Sequence, residues 1–280
     1  MFHQRPGSVA VLTMAALMTA TPSTAATLVA SYLFDGTLAS GVAGAPALAL
    51  VDPTGASGFA TEDVYGTSRT VFEVRGDAVN ANQAGFVFDS TGLMTSDSWS
   101  VALTIKFFDK ENAWRRIVDV TERLTDGGFY VNPSNQLAIY PVSGSAVAWE
   151  NDVYWNVALT VGPSGPNNVS GYIDGIGSFS TTTDIMEIGA DGLIHLFLDN
   201  VEGGGQREWS NVNIAAAKFY DGVLTPAEVA AINADPTAEP PVTPPASGAV
   251  PEPTTWALMI AGFALTGAGL RRRSAQIRFA

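Results

Sequence analysis

The chain contains no cysteine. Disulfides, thiol nucleophiles and zinc sites built on thiolates are therefore excluded, and the fold must hold itself together by its core alone. Histidine is almost as scarce. Of the two, only His195 lies outside the N-terminal leader described below, so a multi-histidine metal site within one chain is also excluded. A nucleophilic serine would have that single histidine as its base. His195 stands in Leu193-Ile194-His195-Leu196-Phe197-Leu198, opposite the Ile194/Leu196/Leu198 face, where its expected role is packing. Basic residues are few, 14 against 27 acidic ones, for a net charge of −13. No phosphate-binding glycine loop occurs: Gly203-Gly204-Gly205 is not followed by Lys-Ser/Thr and reads as a flexible turn. No internal repeat is seen.

What the chain does have is concentrated at its ends. Val250-Pro251-Glu252-Pro253 is followed by an apolar run from Trp256 to Leu270 and then by Arg271-Arg272-Arg273. Pro251 and Pro253 hold the backbone extended and present Glu252 on a readable segment. The apolar run reads as a membrane-holding helix, and the arginines stay cytoplasmic by the positive-inside rule. This order closely resembles the PEP-CTERM sorting signal of Gram-negative bacteria, over residues 250–273. The resemblance implies cleavage near the Pro-Glu-Pro by an exosortase, a membrane transpeptidase, and a link to exopolysaccharide and biofilm systems. The competing reading is an ordinary C-terminal membrane anchor. At the other end, Arg5 precedes an apolar stretch from Val9 to Ala20 that is too short to span, and Thr24-Ala25-Ala26 offers small residues for cleavage after Ala26.

The expected organisation is a signal peptide (1–26), one domain (27–235), a proline-rich linker (236–249), the sorting and anchor segment (250–273) and a cytoplasmic tail (274–280). The protein is expected to be exported, anchored transiently at the inner membrane, and delivered to the cell surface or extracellular matrix of a Gram-negative bacterium. Without its two ends the chain keeps 9 basic and 26 acidic residues, a net of −17. Such a surface repels nucleic acid and anionic membranes and favours cations. Simple solubility outside the cell is the plainer reading of the same charge.

The body reads as β. From Trp99 to Phe108, Val101, Leu103, Ile105 and Phe107 fall on one side and Ala102, Thr104, Lys106 and Phe108 on the other. From Val153 to Val161, the residues Val153, Trp155, Val157, Leu159 and Val161 share a face, with Trp155 expected in the core. Further strands are expected at 28–34, 71–74, 85–89, 116–120, 128–132, 136–140, 169–174, 177–180, 193–198 and 213–220. Turn residues separate them, among them Asp35-Gly36, Asp126-Gly127-Gly128 and Asp174-Gly175. One helix is signalled by Thr225-Pro226-Ala227-Glu228, with threonine as N-cap, proline at the first helical position and glutamate closing a capping box. Leu224 and Val229 sit where a hydrophobic staple would join them, and the helix should end near Asn233.

Three segments resemble the laminin-G-like, concanavalin-A-like jelly-roll superfamily. Leu28-Val29-Ala30-Ser31-Tyr32-Leu33-Phe34-Asp35-Gly36 is similar to its opening strand. Trp155-Asn156-Val157-Ala158-Leu159-Thr160-Val161 with Gly171-Tyr172-Ile173-Asp174-Gly175 resembles its central hairpin. Asn213 to Val229 resembles its final strand and short closing helix. The implied fold is an all-β jelly-roll sandwich with one short C-terminal helix, followed by the apolar anchor helix.

These are structural motifs, and function must be sought in side chains. Laminarinase-type members of this fold carry a Glu-x-Asp-x-x-Glu pattern whose carboxylates share one cleft. Here Glu150-Asn151-Asp152 and Asp109-Lys110-Glu111 both end on tryptophan, Trp155 and Trp114, where the third acid belongs. The resemblance also makes calcium the expected ion, and Asp35, Asp199, Asn200 and Asp221, beside strand ends, are its candidate ligands. The competing reading is that these residues simply form turns. Glycan binding needs exposed aromatics, and Trp114, Trp149 and Trp209, in loops beside charged residues, are the candidates, unless they cap the core. The expected function is a non-catalytic, carbohydrate-binding-like surface or matrix module, processed by exosortase, with extracellular polysaccharide as partner. A protein-binding adhesive or structural matrix component is the alternative, and a glycoside hydrolase with an atypical site is the second.

Overall fold

Alternation of apolar residue types organises the longer strands, which set one face on a shared core. The computed structural model describes residues 25–140, 149–202 and 207–239. Among these lie fourteen strands: β1 (Thr27–Tyr32), β2 (Ala49–Val51), β3 (Gly58–Val64), β4 (Thr67–Val74), β5 (Gly85–Asp89), β6 (Trp99–Phe107), β7 (Arg115–Asp119), β8 (Gly128–Val131), β9 (Leu137–Tyr140), β10 (Trp155–Val161), β11 (Val169–Ile173), β12 (Ile176–Thr181), β13 (Leu193–Leu196) and β14 (Val212–Asp221). One helix, α1 (Pro226–Ala234), follows. The larger sheet runs β12-β11-β10-β6-β14-β4-β3, with β1 also pairing β14, and the smaller runs β2-β5-β13-β7-β8-β9. The register of every strand pair is antiparallel, as expected for a sandwich.

The core lies between the sheets. Trp99, Val101, Leu103, Ile105 and Phe107 of β6 face Phe86 and Phe88 of β5 and Ile117 and Val118 of β7 in one buried cluster. Phe88 and Phe219 stack across it at 4.1 Å, with Tyr32 edge-on to both. β14 is rich in alanine and carries a bulge between Ile214 and Ala216. The extra residue lets Ile214 and Ala217 both face the core, while Ala215 turns outward to pack with Val64, Val71 and Tyr154.

The β10 expectation needs correcting at its start. The strand begins at Trp155, and Val153 lies in the preceding turn, 42% exposed. Trp155 is half-buried rather than central, because Trp149 occupies the deeper place. Trp149 packs on Phe107 at 5.2 Å, and Trp155 lies against Trp149 at 5.7 Å with its indole N–H donating to the Glu150 carbonyl. Two strands were not expected from sequence, β2 and β3. In β3 (Gly-Phe-Ala-Thr-Glu-Asp-Val) charged residues occupy an edge position where few side chains are buried, so the apolar alternation is broken. Tyr65 (φ 53°) and Gly66 (φ 81°) then form the two-residue turn into β4.

α1 is capped as the sequence indicates. The Thr225 hydroxyl accepts from the Glu228 N–H, and the Glu228 carboxylate accepts from the Thr225 N–H at 2.7 Å. Leu224 and Val229 share a buried cluster with Ala102, Ala158, Tyr172 and Tyr220, so α1 covers part of the larger sheet's outer face. The helix ends at Ala234, one residue beyond expectation. The signal peptide, up to its last residues, and the anchor segment lie outside the described residues. Within them, no helix is long and apolar enough to cross a membrane.

Candidate functional site

The residues singled out by sequence do not form one site. Trp149 is 2% exposed and belongs to the core, a correction to its reading as a ligand platform: its ring fills space beside Phe107. Trp114 is half-buried, edge-on to Tyr130 and Tyr140 at 5.4 Å each. Trp209 is half-buried beneath the Lys110 ammonium, 5.0 Å from its ring centre. Of the candidate calcium ligands, Asp35 is exposed, and Asp221 accepts from the Thr95 N–H and hydroxyl at 2.9 and 3.0 Å. Asp199 and Asn200 are fully buried elsewhere. No group of three or more His, Asp or Glu side chains is placed to hold a metal ion among the described residues. Pro251, Glu252, Pro253 and Arg271, Arg272 and Arg273 lie outside those residues.

Asp199 and Asn200 instead join a charged network on the outer face of the smaller sheet, which no local spacing announced. Arg116 on β7 pairs with Asp119, lies 3.6 Å from Asp199 and 3.3 Å from Glu208, and donates to the Asn200 amide oxygen at 3.2 Å. Its guanidinium also covers the Tyr130 ring at 4.8 Å. Asp199 accepts from the N–H groups of Asn200 and Glu208, both at 2.9 Å. Burial pushes the Asp199 and Glu208 carboxyls up, against the pull of Arg116. His195 stands 3.7 Å from Asp119, and burial lowers its pKa, so it is neutral at pH 7. Three carboxylates thus converge from distant segments, as a hydrolase would need. The side chains of Asp119 and Asp199 are fully buried, however, and Arg116 pairs with them, which suits pinning a loop better than receiving a substrate.

An accessible site lies on the outer face of the larger sheet, beside the C-terminal end of α1. An open cleft of about 500 Å³ is walled by Tyr65, Arg69, Asn156, Asp174, Asn233 and Thr237. The β3–β4 turn sets Tyr65 at its rim, 53% exposed and 6.5 Å from Tyr154. The two-residue Asp174-Gly175 turn sets Asp174 on the opposite wall, both residues having positive φ. The cleft's polar groups are pre-oriented. The Thr104 hydroxyl donates to the Asn156 amide oxygen and the Asn156 amide nitrogen donates to the Asn233 oxygen, each at 2.8 Å. The Asn156 N–H donates to Asp174 at 3.0 Å. This chain fixes the Asn233 oxygen as an acceptor and leaves its NH₂ as the terminal donor. Arg69 clamps the chain leaving α1, donating to the Thr237 hydroxyl at 2.6 Å and carbonyl at 3.3 Å.

Next to the cleft, Glu62 on β3 receives Lys106 at 2.7 Å, the Tyr154 hydroxyl at 2.6 Å and the Asn213 amide at 2.7 Å. Burial would raise the Glu62 carboxyl, but these donors together hold it below the usual range. They also lock Tyr154, and so the floor beneath Tyr65. Tyr65, Arg69, Asn156 and Asn233 were all missed from sequence. The Tyr-Gly pair at the turn was the one local signal; the others come together only through tertiary pairing.

Known proteins add two findings. Residues 249–273 match the family model of the PEP-CTERM protein-sorting motif. The chain therefore carries a signal for export and exosortase sorting. Among solved structures, the chain is similar to domain 4 of a GH43 extracellular arabinanase from Geobacillus stearothermophilus, in complex with arabinotriose. That match has 18% identity and a TM-score of 0.56, over 75% of this chain and all of that one. It is also similar to the binding domain of Paraclostridial Mosquitocidal Protein 1, with 12% identity and a TM-score of 0.50, over 74% of this chain and 52% of that one. At these identities the likeness establishes the fold, a β-sandwich of jelly-roll type, and nothing more. No match is found among the curated proteins.

Proposed function

We propose that the domain is a non-catalytic, carbohydrate-binding module, exported, processed by exosortase, and displayed at the surface or in the matrix of the cell, where it binds extracellular polysaccharide. The observation that carries this reading is the open cleft with Tyr65 at its rim and the Asn156–Asn233 pair and Asp174 in its walls. A sugar ring presents an apolar C–H face to an aromatic side chain and hydroxyls to planar amides and carboxylates, and the cleft supplies both. The similar arabinanase domain was solved with arabinotriose, which is consistent with sugar binding on this architecture. The net charge of −17 outside the two ends disfavours densely anionic polymers relative to neutral or sparsely charged glycans.

Glycan arrays and calorimetry on the exported protein test this. Binding to at least one oligosaccharide class is expected, and Tyr65→Ala and Asn233→Ala should each weaken it about ten-fold without moving the melting temperature. Unchanged affinity in both variants would place the ligand elsewhere. Incubation with laminarin, agarose and alginate should release no new reducing ends. Turnover lost on Glu208→Gln would instead favour a hydrolase built on the Arg116 network.

Processing is a separate expectation. Mass spectrometry of protein extracted from the cell surface should find chains ending near residue 250. Retention of Arg271–Arg273 on most molecules would sink the cleavage claim and leave a plain anchor.

A further inference from the structure

Lys218 on β14 points away from the core, into the space between the larger sheet and α1. It pairs in register with Ser31 of β1 and Ala102 of β6, and it is only 7% exposed. Among the described residues it makes no hydrogen bond or ion pair; Asp235 and Glu239 act on it only at longer range. Burial pushes its pKa down. Its stem is buried while its ammonium has no partner among the described residues, where proteins normally supply a counter-charge.

The side chain lines a cavity of about 20 Å³ together with Ala102, Ala158, Val229, Ile232 and Asn233. That is room for one or two water-sized groups, the size of a carboxylate. The cavity shares Asn156, Asn233 and Pro236 with the open cleft, so the two spaces adjoin. The free NH₂ of Asn233 stands at the junction as a second donor. A neutral hydroxyl gains only an ordinary hydrogen bond here, whereas a carboxylate gains a charge-assisted one with Lys218.

We propose that this cavity is a subsite for a carboxylate, and that the glycan bound in the cleft carries an acidic sugar residue whose carboxyl group pairs with Lys218. This rests on the glycan reading of the cleft. Because the domain as a whole is strongly acidic, the acidic residue is one among neutral ones rather than part of a polyuronate.

The test uses the full-length chain in detergent, with methyl β-D-glucuronide, methyl β-D-glucoside and sodium acetate as probes. The glucuronide should bind about ten-fold more tightly than the glucoside. Lys218→Met, which keeps length and removes charge, should abolish that preference and leave the glucoside unaffected; Lys218→Gln is the second variant if the first does not fold. Equal affinity for the two glycosides, or a preference that survives both substitutions, overturns the proposal. If neither glycoside binds, acetate decides. A rise in melting temperature with sodium acetate over sodium chloride at equal ionic strength, lost in Lys218→Met, keeps the carboxylate site and removes the glycan reading. No acetate effect removes both.

Discussion

Replacing Arg116 by methionine is expected to destabilise the domain by about 3–5 kcal/mol, because it strands the carboxylates of Asp119, Asp199 and Glu208 in a buried site without their shared cation. For a domain of this size that lowers the melting temperature by roughly 10 °C. The pH dependence gives the cause away. Burial already raises the Asp199 and Glu208 pKa values in the folded state, so their ionised forms oppose folding, and loss of Arg116 raises them further. A group whose acid form is favoured by folding costs stability above its folded pKa and stops doing so as the pH falls through it. The Arg116→Met penalty should therefore be largest near neutral pH and shrink on acidification. Combining Arg116→Met with Asp119→Asn, Asp199→Asn and Glu208→Gln should recover much of the loss, since neutral amides need no counter-charge. A penalty independent of pH, or no rescue, would mean that the packing of Arg116 on Tyr130 matters more than its charge.

That network also marks where sequence reading stopped. Strands such as β6, β10 and β14 were legible because their residue types alternate, apolar toward the core and mixed on the other side, although both faces end up largely buried. The helix was legible because its cap is chemically local, four residues that satisfy each other. The sorting segment was legible for the same reason: its proline pair, apolar run and arginines are adjacent in the chain. Neither Arg116's partners nor the cleft has that property. Asp119 is three residues away, but Asp199 and Glu208 arrive from beyond β13, and Asn156 meets Asn233 only because α1 folds back over β10. Tyr65 stands on a turn whose flanking strand, β3, hides its pattern behind edge charges. The tryptophans misled for a related reason. A loop position next to charged residues does not say which way a large ring turns, and Trp149 turned inward.

Trp99, central to the core, and Trp155, at its margin, test that last point. Trp99→Ala is expected to cost about 3–5 kcal/mol, the range for large core truncations. Trp99 is fully buried in the main cluster, and its indole N–H donates to the Met186 carbonyl at 3.0 Å, so truncation removes the ring, leaves a cavity and orphans an acceptor. Trp155 sits at the margin of the same cluster, half-buried and resting on Trp149. Water can fill part of the space it would leave, and its hydrogen-bond partner, the Glu150 carbonyl, belongs to an exposed residue. Trp155→Ala should therefore cost about 1–2 kcal/mol, because less area is lost from the core and no closed void remains. Urea denaturation of the two variants, compared at constant m-value, measures the difference. Near-equal losses would place Trp155 as deep as the alternation of β10 alone implies, and Trp149 would then be the ring that yields.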